Sequence, residues 1–205
     1  MLHFFYGVMG SSKTAMLLMQ RYNYIAQGLQ VALVKPAVDT RIDHNTVYSR
    51  VGLNACADIV LEPGHSIREQ LYWLAVRNGH NDFPFVFVDE AQFLTEEQVQ
   101  EMADMSDTHE FFCYGLKTDF QSNFFPGSAA LLRLAEDVAE VPGGLCWCGC
   151  KATMNTRIDG KGNVIKEGAQ VLIDNQQEIR YIGLCYKHWK LGESHASVER
   201  KIDSV

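Results

Sequence analysis

The segment Gly7-Val8-Met9-Gly10-Ser11-Ser12-Lys13-Thr14 stands between an apolar run and an amphipathic one, and it constrains the chain more than any other stretch. The run before it ends in His3-Phe4-Phe5-Tyr6 and predicts a buried strand. The run after it, from Thr14 to about Gln27, predicts a helix that Gly28 stops. A glycine-punctuated loop leading from a strand into a helix aims backbone N–H groups and the positive helix end at one point, which suits phosphate. Lys13 is placed to reach the β- and γ-phosphates and the Thr14 hydroxyl to ligate magnesium. Gly7, Met9, Gly10, Ser11 and Ser12 form the cradle. One position departs from the Walker A pattern: Ser12 stands where glycine usually precedes the lysine. A side chain there enters a loop that must approach phosphate closely, and weakened or lost catalysis is one reading of it.

Further along, Phe85-Val86-Phe87-Val88-Asp89-Glu90 is an apolar strand that delivers two carboxylates at its end. Walker B strands place an acid in the magnesium shell in this way, so Asp89 is expected to complete the shell begun by Thr14. Neighbouring side chains on an extended backbone point to opposite sides, which leaves Glu90 to face a substrate as the candidate base. Further strands are expected near 30–34 and 111–115. Helices are expected over 66–78, with Ser66 as cap and Glu69 in the capping-box position, and from Thr95 onward. Residues 37–58 read as polar and irregular. Strands that are apolar on both faces and alternate with helices imply an α/β fold with a parallel sheet covered on each side.

Past Pro142-Gly143-Gly144 the character changes to short strands, turns such as Asp159-Gly160 and most of the six cysteines. Cys146-Trp147-Cys148 and Cys185-Tyr186-Lys187-His188 are two tight pairs that suit one tetrahedral zinc. Four protein ligands close such a site and make it structural. Cys150 competes as a ligand, while Cys56 and Cys113 read as buried thiols without a metal. The cysteines are clustered rather than spread as a disulfide framework, and in a reducing cytoplasm such clustering favours metal ligation.

A 205-residue chain that is 47% hydrophobic can hold one α/β domain and a small appendage. Its net charge of −7, with no Lys/Arg-rich stripe interleaved with aromatics, counts against a protein that grips nucleic-acid backbone. The N-terminus lacks the basic start and apolar core of a signal peptide, and no apolar run is long enough for a bilayer, so a cytoplasmic protein is expected.

In order, Gly7…Lys13-Thr14, Lys35-Pro36-Ala37-Val38-Asp39-Thr40-Arg41, Val88-Asp89-Glu90-Ala91-Gln92-Phe93, Tyr114-Gly115-Leu116-Lys117-Thr118-Asp119-Phe120 and the two zinc pairs make a combination with a known counterpart. It resembles the type II thymidine kinases, bacterial and bacteriophage members above all, over residues 2 to about 190. The resemblance implies a P-loop NTPase, RecA-like sheet over 1–141, a small zinc-binding, β-rich lasso or lid over 142–191, and a flexible tail over 192–205. It implies transfer of the γ-phosphate of ATP to the 5′-hydroxyl of thymidine with Mg2+, Glu90 taking the proton and Arg41 offsetting charge at the transferring phosphate, with Asp39 close by. It implies that Met9, Phe93, Leu116, Phe120 and Phe125 wall the thymine pocket, that Tyr181 packs by the base, and that backbone groups of about Leu172 to Arg180 read it. Ile173-Asp174-Asn175 stands where relatives often carry a glycine pair. A homotetramer and feedback inhibition by thymidine triphosphate are implied by the family and by no motif here. Two other readings stay open: a different deoxynucleoside acceptor such as deoxyuridine, and a P-loop ATPase that binds nucleic acid through a zinc ribbon.

Overall fold

The structure is a computed structural model that describes residues 1–38, 45–170 and 179–197. The N-terminal run forms strand β1 (Leu2–Tyr6), and helix α1 (Lys13–Ala26) follows the glycine-containing loop. Strand β2 (Val31–Pro36) is buried along its whole length. A short antiparallel hairpin, β3 (Thr46–Tyr48) and β4 (Asn54–Cys56), precedes β5 (Ile59–Leu61). Helix α2 (Ile67–Asn78), β6 (Phe85–Val88), a single 3-10 turn at Ala91–Phe93, α3 (Glu96–Asp104), β7 (Glu110–Gly115), α4 (Pro126–Leu134) and β8 (Asp137–Glu140) complete this part of the chain.

Six of these strands make one sheet in the order β5-β2-β6-β7-β1-β8, and every pairing in it is parallel. A strand covered on both faces sends alternate residues to two cores. Ala32 and Val34 join Val86, Val88, Phe111 and residues of α2, α3 and α4 on one side. Val31 and Leu33 join Phe87, Phe112, Tyr114 and Leu17 of α1 on the other. The sheet is thus the α/β layer that strand and helix alternation predicts, with helices on both faces.

Helix starts follow local chemistry. Thr95 accepts the Gln98 N–H at 3.2 Å and Gln98 returns a bond to the Thr95 N–H at 3.0 Å, a complete capping box for α3. At α2 the Ser66 hydroxyl accepts from the Glu69 N–H at 3.2 Å, as expected. The acid that completes that cap comes from α3, because the Glu101 carboxylate takes both the Ser66 hydroxyl and the Ile67 N–H, at 3.0 and 2.9 Å.

The C-terminal part is a three-stranded antiparallel sheet, β10 (Val164–Ile165), β9 (Met154–Ile158) and β11 (Arg180–Leu184) in that order, followed by α5 (Tyr186–Leu191). Among the described residues no helix is long and apolar enough to cross a membrane. The structure corrects three local expectations. Residues 37–58 are not wholly irregular, since they contain the β3–β4 hairpin, which buries Val47 with Leu17 and Leu33 in the core on the α1 side of the sheet. Cys56 lies on that hairpin and is exposed, whereas Cys113 is buried as expected. Glu90 leaves the extended conformation at once, with φ 50° and ψ 39°.

Candidate active site and metal cluster

Parallel pairing fixes where the chemical groups meet. Tyr6 is registered with Gly115, and Cys113 with both Phe4 and Val88, so β1, β6 and β7 end at one edge of the sheet. From that edge emerge the Gly7–Lys13 loop, the Asp89-Glu90 pair and the segment starting at Leu116. The crevice beyond the carboxyl ends of parallel strands is where open α/β sheets bind their ligands.

The loop after β1 closes on itself. The Ser11 N–H donates to Val8 O at 3.2 Å, and the buried Lys13 ammonium donates to the carbonyls of Gly7 and Val8 at 3.1 and 2.9 Å. Gly7 leaves room for the Ser11 side chain, which a Cβ at Gly7 would strike. Gly10 has φ 82° and Ser12 φ 64°, so Ser12 adopts the left-handed conformation for which glycine is the usual residue. Its side chain is exposed. The Thr14 hydroxyl at the start of α1 donates toward both oxygens of Asp89, at 3.2 and 3.1 Å. A hydroxyl and a carboxylate in contact are hard oxygen donors of the kind magnesium takes, so this pair fits that ion.

Next to Asp89, the buried Glu90 sits in the left-handed region at the entry to the 3-10 turn. A non-glycine residue there is held by its surroundings. One holding group is Gln92, 1% exposed, which donates to Glu90 Oε2 at 2.5 Å and accepts the Leu116 N–H at 2.9 Å. Helix α4 presses on the same turn, since a Cβ on Gly127 would lie 2.7 Å from the carbonyls of Ala91 and Leu94.

The expected base-pocket residues fall in two groups. Phe93 and Phe125 make an edge-to-face pair with centroids 5.7 Å apart, near the start of the buried Leu116–Phe120 segment. Phe120 and Tyr181 instead flank Arg157, whose guanidinium carbon lies 3.8 and 5.3 Å from their ring centroids. Arg157 is 1% exposed and donates to the Tyr181 hydroxyl at 2.9 Å and to Ala169 O at 2.8 Å. Met9 and Tyr181, with Gly10, Trp147 and His195, border a cavity of about 360 Å³ between the Gly7–Lys13 loop and the C-terminal sheet. Asp39, Arg41 and residues 171–178 lie outside the described residues.

Cys146, Cys148, Cys185 and His188 converge, with one ligand atom from each lying within 4.8 Å of all the others. His188 Nδ1 is 3.4 Å from the Cys146 sulfur and 3.3 Å from that of Cys185. Bonds of about 2.3 Å to sulfur and about 2.0 Å to nitrogen put tetrahedral zinc ligands about 3.5–3.8 Å apart, so three thiols and an imidazole fit that ion. The turn that brings Cys146 and Cys148 together closes with Gly149 N–H on Cys146 O at 2.9 Å, Gly149 having φ 84°. The Trp147 ring packs on His188 at 4.4 Å between centroids. Cys150 is exposed and lies outside this group of four.

Sequence reasoning missed Gln92, Asn155 and Arg157. Gln92 stands two residues after Glu90 in the Val88–Phe93 run, where an amide next to an acid is the one local signal for it. The other two stand in a strand with no local pattern, and only the fold brings them to the site.

A glycine-containing strand-to-helix loop, a hydroxyl–carboxylate pair and a second buried acid meet at one edge of a parallel sheet, an arrangement that suits an enzyme of the nucleotide-binding α/β class. The family model for thymidine kinase matches residues 1–189, and the chain belongs to the thymidine kinase family. It is 39% identical to the thymidine kinase of Legionella pneumophila (strain Lens) over 94% of this chain and 90% of that protein. It is 40% identical to that of Rhizobium meliloti (strain 1021) over 92% and 95% of the two chains. With the thymidine kinase of Enterobacteria phage T4 the identity is 39%, over 91% and 93%.

Proposed function

We propose that this chain transfers the γ-phosphate of ATP to the 5′-hydroxyl of thymidine, giving thymidine monophosphate and ADP. The reading rests most on the contact of Thr14 with Asp89 at the sheet edge, with Glu90 directly following. Lys13 and the N–H groups of the 7–14 loop bind and orient the ATP phosphates. Thr14 and Asp89 would hold a magnesium ion, which would supply charge neutralisation for the transferring phosphate. Glu90 accepts the proton of the 5′-hydroxyl as that oxygen bonds to the γ-phosphorus and the bond from phosphorus to the β,γ-bridging oxygen breaks. Arg41 offsets charge on the phosphoryl group, with Asp39 nearby, as the family resemblance implies. Met9, Phe93, Leu116, Phe125, Phe120 and Tyr181 exclude water around the thymine.

In this reading residues 1–141 are the ATP-binding unit, 142–191 a lid over the nucleoside held by a structural zinc at Cys146, Cys148, Cys185 and His188, and 192–205 a tail. The enzyme works in the cytoplasm, where thiol ligands stay reduced. It is a homotetramer inhibited by thymidine triphosphate. Exposed Met19, Tyr22 and Ile25 along one flank of α1 supply apolar surface for such an assembly.

Phosphate transfer from γ-labelled ATP with magnesium, run in parallel with thymidine, deoxyuridine, deoxycytidine and single-stranded DNA, tests the proposal. Labelled thymidine monophosphate is expected. Preference for deoxyuridine would change the acceptor, and hydrolysis stimulated by DNA alone would replace the kinase with a nucleic-acid ATPase.

A further inference from the structure

Asn155 is 4% exposed on β9, in the C-terminal sheet, yet both ends of its amide are spent on loops of the parallel sheet. Its Oδ1 accepts the Met9 N–H at 2.8 Å, and its Nδ2 donates to Thr118 O at 2.6 Å. The two partners fix which end is oxygen, since one is a donor and the other an acceptor. Met9 belongs to the phosphate loop. Thr118 belongs to the segment that carries Leu116 and Phe120.

The same place is shaped for close approach. Gly183 is paired with Asn155 across β9 and β11, and a Cβ on it would lie 3.1 Å from Val8 Cγ2 and 3.4 Å from Met9 O. A Cβ on Gly144 would come within 2.5 Å of the same Val8 methyl. Val8 therefore sits in a notch kept open by two glycines, and Met9 is pinned beside it by a buried amide. The N–H groups of Gly10 and Ser12, the next stretch of the loop, donate to no acceptor among the described residues. The main chain is thus fixed at Met9, and the stretch after it keeps donors for a ligand.

We propose that Asn155 is a positioning residue that sets the phosphate loop against the nucleoside-binding segment, so that one buried amide aligns the donor and acceptor halves of the active site. This rests on the kinase reading above. Removing the amide leaves the Met9 N–H and the Thr118 carbonyl unpaired, and the two loops lose their common anchor. Misplacement of reacting groups by about 1 Å costs on the order of 10²-fold in rate.

The test compares wild type with Asn155→Leu and with Asn155→Asp, which keeps the volume and the acceptor for Met9 but loses the donor to Thr118. Steady-state kinetics are measured with ATP and thymidine each varied, MgADP binding by calorimetry, and Tm alongside. Asn155→Leu is expected to weaken MgADP and to raise KM for both substrates by about tenfold, with kcat lowered as well. Asn155→Asp is expected to harm the thymidine parameters and, through its added charge beside the loop, MgADP binding. Wild-type KM values and MgADP affinity in a variant with lowered Tm would overturn the proposal, leaving Asn155 a support of the fold alone. A change confined to one substrate in both variants would overturn the bridging role. If wild type itself transfers no phosphate to thymidine, the kinase reading fails, and MgADP affinity in the variants still decides whether Asn155 sets the loop.

Discussion

Gln92 donates to the Glu90 carboxylate at 2.5 Å while its own side-chain oxygen holds the Leu116 N–H at 2.9 Å, so the proposed base is tied to the end of β7 by one amide. Glu90→Gln keeps an oxygen that Gln92 can donate to, so the site should keep its shape. General-base catalysis contributes about 10²–10⁴-fold, and kcat should fall within that range while MgADP affinity holds. Unchanged turnover would remove Glu90 from the role.

Ser12 carries a side chain at φ 64° and ψ 23°. Left-handed geometry costs a non-glycine residue about 1–2 kcal/mol, and glycine returns about 0.4–1 kcal/mol of that as unfolded-chain entropy. Ser12→Gly should therefore gain about 0.5 kcal/mol, a rise in Tm of roughly 1–2 °C. Because the Ser12 side chain is exposed, ATP KM should stay within about twofold. A large rise in kcat for the glycine variant would mean that the hydroxymethyl group does obstruct phosphate.

The four-ligand cluster separates Cys148 from Cys150. Metal analysis of purified protein should give one zinc per chain, kept in Cys150→Ser and lost in Cys148→Ser. Loss should lower Tm by about 10 °C, corresponding to roughly 3 kcal/mol for a domain of this size. Equal zinc in both variants would reassign the ligand.

Burial, and after it the neighbouring Tyr24, pushes the Tyr114 phenol up to about 12. The folded state then resists an ionisation that the unfolded chain undergoes near pH 10. Stability from this source is complete below about pH 10 and is lost as pH rises through about 12. Tyr114→Phe should flatten the alkaline limb of stability against pH, after allowing for the lost 2.7 Å bond to Gln20. An unchanged limb in urea titrations between about pH 9 and 11.5 would sink the assignment.

The parts of the fold that sequence made legible are those whose cause is local. The loop from Gly7 to Thr14 shows itself through the change from an apolar strand to a helical period, and β6 through an unbroken apolar run ending in acids. Strands β5 and β8 were missed: the first has three residues and the second is mostly exposed, so neither carries a period. Glu90 was expected on an extended backbone because its strand gives no sign of where it stops. The turn is imposed by Gln92 and by the approach of Gly127, contacts that span two later elements. Asn155 and Arg157 are silent for the same reason, since their partners lie in other segments.

Strand β1 is made long before either of the strands it pairs with. His3 must pair with Phe112 on one side and with Asp137, 134 residues later, on the other. At about 5–20 residues per second, a ribosome takes roughly 7–27 s to supply that distant partner. Until β7 is made Leu2-His3-Phe4-Phe5-Tyr6 is an apolar strand with no neighbour to pair with, and its second edge stays open until β8 follows, so the segment before the Gly7–Lys13 loop is also one a nascent chain must have shielded from aggregation.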